Sequence, residues 1–196
     1  MKRISMRLAL VFGLCLVSVS IASAGELEDK LRSAAGNGYT ESALALIGKG
    51  ADVNAKDGSG GTALMYASSE GHIEIARALI DKGADVNVYD KYGRTALMRA
   101  ADHGYVDVVR YLAARGADIE AKNDTGETVL TQAVSSANHV NVVRALIALG
   151  ANVNAKGQTG HTVLWTSENI FPDPGKAGDA ERRREITGIL RQAGAR

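Results

Sequence analysis

The sequence predicts an all-α protein, a solenoid of stacked helical units, and three observations support this fold class. Similar segments recur at intervals of about 33 residues from Gly50 onward. Each copy places a threonine before a short apolar run and a glycine after a longer one, which are typical signals for the start and end of helices. The 196 residues are 45% hydrophobic with only 2 prolines, a composition that suits an ordered, soluble chain.

Four segments carry the repeat. They begin at Gly50, Gly83, Gly116 and Gly150 and read GADVNAKDGSGGTALMYA, GADVNVYDKYGRTALMRA, GADIEAKNDTGETVLTQA and GANVNAKGQTGHTVLWTS. Successive starts are 33, 33 and 34 residues apart, and each copy has its threonine at the same place, at Thr62, Thr95, Thr128 and Thr162. A period of this length indicates a repeated supersecondary unit.

Each unit is expected to hold two helices. The threonine hydroxyl can cap the first, short helix, and Gly71 or Gly104 allows the turn that follows. The second helix has an apolar stripe, which in the first full copy is Ile73, Ile75, Ala76, Leu79 and Ile80. Asp52, Asp85 and Asp118 recur at one position and indicate turn formers. Since neither helix buries its apolar side alone, neighbouring units must form the core together.

The two ends depart from the repeat, as capping units do. Residues 27–48 predict a degenerate helix pair whose inward positions are Leu27, Leu31, Ala34, Ala35, Leu44, Leu46 and Ile47. Near the other end, an insertion within residues 169–179 precedes a last helix from Ala180 to Ala193, with Ile186, Ile189 and Leu190 inward. The arginines of this helix form either a solvated cap or a binding patch.

These segments resemble the ankyrin repeat, and the resemblance covers nearly the whole chain from residue 25. It implies an ankyrin-repeat α-solenoid of about five helix-turn-helix units joined by short hairpin loops, over approximately 25–56, 57–89, 90–122, 123–156 and 157–196. The copies depart from the usual Thr-Pro-Leu-His start of the first helix. The proline position holds Ala63, Ala96, Val129 and Val163, and the histidine position holds Met65, Met98, Thr131 and Trp165. Both departures predict a less stable array than the family consensus.

The resemblance also implies that the hairpin tips and the outer faces of the first helices form a concave strip for a protein partner. Carried over position by position, the contact residues would be Tyr66, Tyr89, Lys91, Tyr92, Arg94, Arg99, Lys122, Asp124, Glu127, Gln158 and His161. Segment 89–94 stands out, because tyrosine and arginine often dominate binding energy. The alternative is that Tyr89 or Tyr92 packs against the next hairpin.

Signatures of catalysis or metal binding are missing from the sequence. The four histidines are too far apart for a helical metal pair, and Cys15 is the single cysteine. We therefore expect no catalytic residue, no metal and no cofactor. After residue 24 the chain carries 20 Lys and Arg against 22 Asp and Glu, a balance that argues against nucleic acid as a partner.

Residues 1–24 have the pattern of a cleaved secretory signal peptide. Lys2, Arg3 and Arg7 precede an uncharged apolar run over 8–21, and Ala22-Ser23-Ala24 follows it. The run of 14 residues is short for a membrane span. The pattern predicts export to the bacterial periplasm with no stable membrane insertion after cleavage; an uncleaved anchor and a eukaryotic secretory origin are the alternatives.

Together these features predict a monomeric, non-catalytic module that binds a protein partner of unknown identity in the periplasm. A narrower hypothesis is an immunity-type inhibitor or a protector of an exported enzyme. The rival hypothesis is a small-ligand or anion site at the C-terminal insertion, built from Trp165, Phe171, His161 and the arginines Arg182, Arg183 and Arg184.

Overall fold

The computed structural model describes residues 25–136, 139–157, 159–169 and 178–196, and their regular structure is helical. Helix α1 covers 25–37. The other helices are α2 (Thr40–Gly48), α3 (Ala63–Ser69), α4 (Ile73–Asp81), α5 (Ala96–Asp102), α6 (Val106–Ala114), α7 (Val129–Ser136), α8 (Val140–Ala148), α9 (Val163–Asn169) and α10 (Asp179–Gln192). Two isolated bridges, Lys122–Thr128 and Lys156–Thr162, are the β-type pairings among these residues. The predicted all-α class is confirmed.

The helices are arranged in two layers. Helices α3, α5, α7 and α9 pack side by side in chain order, and α2, α4, α6, α8 and α10 form the second layer in the same way. Each helix of the first layer also packs on the helix that follows it, as α3 does on α4. Every inner unit therefore shares its apolar side with two neighbours, and the predicted stacking is confirmed.

One continuous core runs between the two layers. Leu64, Leu97 and Leu130 occupy equivalent places on the first-layer helices and are fully buried. Met65 and Met98, which replace the histidine of the family pattern, are buried beside them. Apolar packing therefore takes the place of the polar contacts that histidine would make at these two positions.

The threonines cap the first-layer helices as predicted. Thr62 Oγ1 accepts a hydrogen bond from the backbone N–H of Met65 at 3.4 Å, and Thr95 and Thr128 repeat this geometry. All three threonines are buried. Each hydroxyl satisfies an N–H group that would otherwise lack a partner inside the stack.

Glycine is required in the turn between the two helices of a unit. Gly71 has φ +75° and Gly104 has φ +84°. A Cβ on Gly71 would lie 2.4 Å from the ring of Tyr105, and one on Gly104 would lie 2.4 Å from the ring of His139. Both the backbone conformation and the ring of the next unit therefore exclude a side chain at these positions.

The N-terminal end corrects one expectation. Leu31, Ala34 and Ala35 of α1 are buried as predicted, but Leu44 of α2 is 48% exposed. Helix α2 is the first member of its layer, so α4 covers one of its sides and no described helix of that layer covers the other. At the opposite end, α10 begins at Asp179, one residue before the predicted start. Among the described residues, no helix combines the length and apolar character needed to cross a bilayer.

Candidate functional site

The candidate site consists of the hairpin tips that lead into the first-layer helices. The tips cover 56–61, 89–94, 122–127 and 156–161, and residue 158 lies outside the described part of the chain. Neighbouring tips are joined through the backbone: the N–H of Lys91 donates to the carbonyl of Ser59 at 2.9 Å, and the N–H of Asp124 donates to the carbonyl of Tyr92 at 3.2 Å. The first three tips therefore lie side by side in a row. We use the name strip for the row of tips together with the exposed sides of α3, α5, α7 and α9.

An acidic or amide side chain organises each of the first three tips. Asp57 Oδ1 accepts hydrogen bonds from the backbone N–H groups of Ser59 and Gly61, and Asp90 Oδ1 accepts from those of Tyr92 and Arg94. Asn123 makes the same pair of contacts in the third tip. These side chains hold the loops in shape from inside and are not available to a partner.

The second carboxylate oxygen of two tips reaches the following first-layer helix. The hydroxyl of Tyr66 donates to Asp57 Oδ2 at 2.6 Å, and Arg99 Nη2 donates to Asp90 Oδ2 at the same distance. Tyr66 and Arg99 occupy equivalent positions in α3 and α5. Each therefore ties its helix to its own hairpin tip, a contact that the sequence did not predict because the residue type at this position changes from unit to unit.

The environment of these carboxyls shifts their pKa values. Burial raises the pKa of Asp57, but hydrogen bonds from Tyr66, Ser59 and Gly61 outweigh burial and hold that pKa well below its usual range. The pKa of Asp90 is also lowered: burial opposes ionisation, while the backbone N–H groups of the tip and the Arg99 guanidinium favour it. The hydrogen bond to Asp57 raises the pKa of the Tyr66 hydroxyl. Both carboxyls are thus ionised at neutral pH.

Arg99 also links two units. Its guanidinium lies 6.0 Å from the ring centroid of Tyr66, and its Nη1 donates to Ser69 Oγ at 3.5 Å. Arg94 Nε lies 3.6 Å from the same Asp90 oxygen that Arg99 contacts. The structure therefore places Arg94 and Arg99 at one buried carboxylate, that of Asp90, with Arg99 also over the ring of Tyr66, as part of the framework under the strip.

The side chains of the second tip that face solvent are Tyr89, Lys91 and Tyr92. The tyrosines are 43% and 54% exposed, so neither ring is buried against the next hairpin. Lys91 Nζ lies 5.0 Å from the ring centroid of Tyr92, and Arg94 Cζ lies 5.6 Å from it. This tip presents two aromatic rings and flanking cations to solvent.

The third and fourth tips hold the remaining predicted contact residues. Lys122 and Asp124 are exposed, while Glu127 is partly buried and accepts hydrogen bonds from Asn123 and Thr125. His161 stacks on Trp165 with 3.4 Å between the ring centroids. Gln158 lies outside the described residues.

Trp165 adds an exposed aromatic side chain that the predicted contact set did not include. It is 42% exposed at the start of α9, next to an open cleft of about 320 Å³. It occupies the position of the family's histidine. The equivalent residues Met65 and Met98 are buried, so the repeat pattern predicted a buried side chain at this position. The fifth unit differs because its first-layer helix, α9, is the last one in the row of described first-layer helices.

The structure describes only part of the alternative ligand site near the C-terminus. Residues 170–177 of the insertion, including Phe171, lie outside the described part of the chain. Arg182 and Arg183 pair with Asp179, and Arg191 pairs with Glu168. Carboxylates of the chain itself therefore already compensate these three arginines, which argues against an anion site built on Arg182 and Arg183. Within the described ranges, no group of His, Cys, Asp and Glu is arranged to hold a metal ion.

Comparison with known families agrees with the repeat. The family model for ankyrin repeats in three copies matches residues 31–123, and the model for a single ankyrin repeat matches residues 125–158. Together the two matches cover more than half of the chain. No curated protein matches the chain with significance.

Proposed function

Since this chain belongs to the ankyrin repeat family, we propose that it binds a protein partner through the strip of hairpin tips and first-layer helix faces. Ankyrin repeats are generally modules for protein–protein interaction. The proposal assigns the chain a binding role without catalysis. The partner itself is to be identified by experiment.

The main observation in support of this proposal is the exposure of large apolar side chains. Among the described residues they fall at two places: Tyr39 and Leu44 at the N-terminal end, and Tyr89, Tyr92 and Trp165 on the strip. Exposed aromatic rings beside cations on a preformed surface are typical of residues that dominate binding energy. The strip is held by backbone hydrogen bonds between tips and by buried side chains beneath them, so little ordering is required on binding.

The experiment is affinity capture from a periplasmic extract followed by mass spectrometry. The double variant Tyr89→Ala/Tyr92→Ala should lose the captured protein while its helical circular dichroism stays unchanged. Tyr39→Ala is the matched control, because Tyr39 is also an exposed tyrosine but lies at the end of the stack. Equal capture by the double variant and the unchanged protein would contradict the assignment of the strip.

We also propose that the protein acts in the periplasm. The support is the basic, apolar and small-residue pattern of residues 1–24, which lie outside the described part of the structure. Fractionation of the native host with an antibody to the protein should place it in the periplasmic fraction, with a mature N-terminus at Gly25. A cytoplasmic protein that keeps Met1–Ala24 would contradict this location.

A further inference from the structure

The accessible charge on the strip is positive around its exposed tyrosines, and we propose that the partner presents an acidic protein segment to this surface. The inference rests on the proposed function and specifies the charge of the partner segment that the strip binds. It starts from the difference between charges that face solvent and charges that are already used within the fold.

The carboxylates of the first two tips are used within the fold. Asp90 is buried, and both of its oxygens accept hydrogen bonds from the tip and from Arg99. Asp57 bonds to its own turn and to Tyr66 in the same way. Neither carboxylate can reach a partner without breaking these contacts.

The cations of the same two tips face solvent. Lys56 and Lys91 are exposed and form no ion pair with a carboxylate of the described residues. Lys56 Nζ donates to the carbonyl of Tyr89 at 3.3 Å, and Lys91 lies over the ring of Tyr92, so both cations border the exposed rings. Arg94 and Arg99 both pair with Asp90 Oδ2, so their charges are used within the fold, and the accessible cations of these two tips are Lys56 and Lys91.

The third and fourth tips continue this pattern. Lys122 and Lys156 are exposed, and Asp124 is the exposed carboxylate among the described residues of these two tips. Glu127 accepts hydrogen bonds within its own loop. A carboxylate of the partner can therefore pair with Lys56 or Lys91 while an adjacent apolar side chain packs on Tyr89 or Tyr92, and Lys122 and Lys156 can pair with further carboxylates along the row.

A short acidic protein segment fits this surface better than a nucleic acid does. A phosphate backbone needs a continuous basic face. Here exposed Asp52, Asp85 and Asp118 precede the tips in the same hairpins, and Asp124 interrupts the row of lysines. The accessible cations are thus local and lie beside aromatic rings, an arrangement that suits side-chain carboxylates.

The test selects random short peptides displayed on phage against the purified protein, followed by synthesis of the enriched sequences. Affinity for these peptides is measured by fluorescence anisotropy for the unchanged protein, for Lys56→Glu/Lys91→Glu and for the control Lys49→Glu/Lys82→Glu. The control changes the same residue type and the same net charge at exposed positions that follow α2 and α4, away from the tips.

The inference expects enriched peptides with an excess of Asp and Glu. Their affinity should fall about tenfold or more in Lys56→Glu/Lys91→Glu and by less than about twofold in the control. For the unchanged protein, the affinity should also fall when NaCl is raised from about 50 to about 500 mM, because salt screens the ion pairs. Neutral or basic peptides that still require Tyr89 and Tyr92 would overturn the inference and leave the proposed function intact. A selection that yields no binder, or equal competition by an oligothymidylate, would overturn both.

Discussion

The side chain of Asn54 binds the backbone of the next unit at Asp85. The N–H of Asp85 donates to Asn54 Oδ1 at 2.8 Å, and Asn54 Nδ2 donates to the carbonyl of Gly83 at 3.0 Å. Asn87 makes the same two bonds to the N–H of Asp118 and the carbonyl of Gly116. One amide side chain in each of these hairpins therefore joins it to the next hairpin through two hydrogen bonds.

Replacing Asn54 with alanine should destabilise the stack. Both hydrogen bonds to the next unit disappear, and each contributes on the order of 0.5–1.5 kcal/mol, so we expect a loss of about 1–3 kcal/mol in the free energy of unfolding. Urea unfolding followed by circular dichroism measures this change. Asn141→Ala is the control, since Asn141 is exposed on α8 and makes no hydrogen bond to the described residues. Equal effects of the two substitutions would contradict the role of Asn54.

The third unit has a weaker version of this connection, which substitution should improve. Glu120 occupies the equivalent position, and its Oε1 accepts from the N–H of Asn152 at 2.8 Å. A carboxylate has no N–H to offer to the carbonyl of Gly150. Glu120→Asn should therefore restore the second bond and raise the free energy of unfolding by about 0.5–1 kcal/mol. The reciprocal variant Asn87→Glu should lower it by a similar amount, and an unchanged urea midpoint in both variants would exclude this explanation.

The lowered pKa values of Asp57 and Asp90 predict that the stack loses stability in acid. A carboxyl whose pKa is lower in the folded chain than in the unfolded chain stabilises the fold above its unfolded pKa, and this contribution is lost as the pH falls through the folded pKa. The free energy of unfolding should therefore decrease from about pH 4 downward. Urea unfolding at a series of pH values measures this decrease.

The variant Asp57→Asn isolates one of these carboxyls. Asparagine already holds the third tip at Asn123, where it accepts the same two backbone hydrogen bonds, so the variant should fold. It should be less stable than the unchanged protein near neutral pH, and the difference should shrink as the pH falls below about 4. A constant difference across this range would show that the Asp57 charge does not contribute.

Short-range signals in the sequence were sufficient to predict the framework. Thr62 precedes an apolar run and caps α3, and Gly71 permits the turn into α4. Asp52 and Asp85 were predicted as turn formers, and each accepts a hydrogen bond from the backbone N–H two residues ahead. These contacts act within a few residues, so residue type and spacing are enough to identify them.

Contacts between units, and contacts made by helix positions whose residue type varies from unit to unit, could not be predicted in the same way. The sequence marks Asn54 and Asp85 as residues of turns, but their pairing depends on how one unit stacks on the next. The bond from Tyr66 to Asp57 joins a tip to a helix position whose residue type varies, so the repeat gives no signal for it. The exposure of Leu44 follows from its place at the end of a layer, whereas helical periodicity describes one helix at a time.

Tyr111 on α6 makes a contact between units in the second layer. Its ring centroid lies 5.0 Å from Arg77 Cζ of α4 and 4.7 Å from Arg115 Cζ, and Arg115 Nη1 pairs with Asp81 at 2.9 Å. The Tyr111 hydroxyl is buried and has no hydrogen-bond partner among the described residues. The ring therefore stabilises the stack through packing and through its two cations, while the hydroxyl adds a buried polar group without a partner.

This arrangement predicts opposite results for two substitutions of Tyr111. Tyr111→Phe keeps the ring between the two arginines and removes the unpaired hydroxyl, so the free energy of unfolding should stay the same or rise by up to about 1 kcal/mol. Tyr111→Ala removes the ring and should cost about 2 kcal/mol. Thermal and urea unfolding of both variants measures the difference. A loss in Tyr111→Phe as large as that in Tyr111→Ala would mean that the hydroxyl, and not the ring, stabilises the stack at this position.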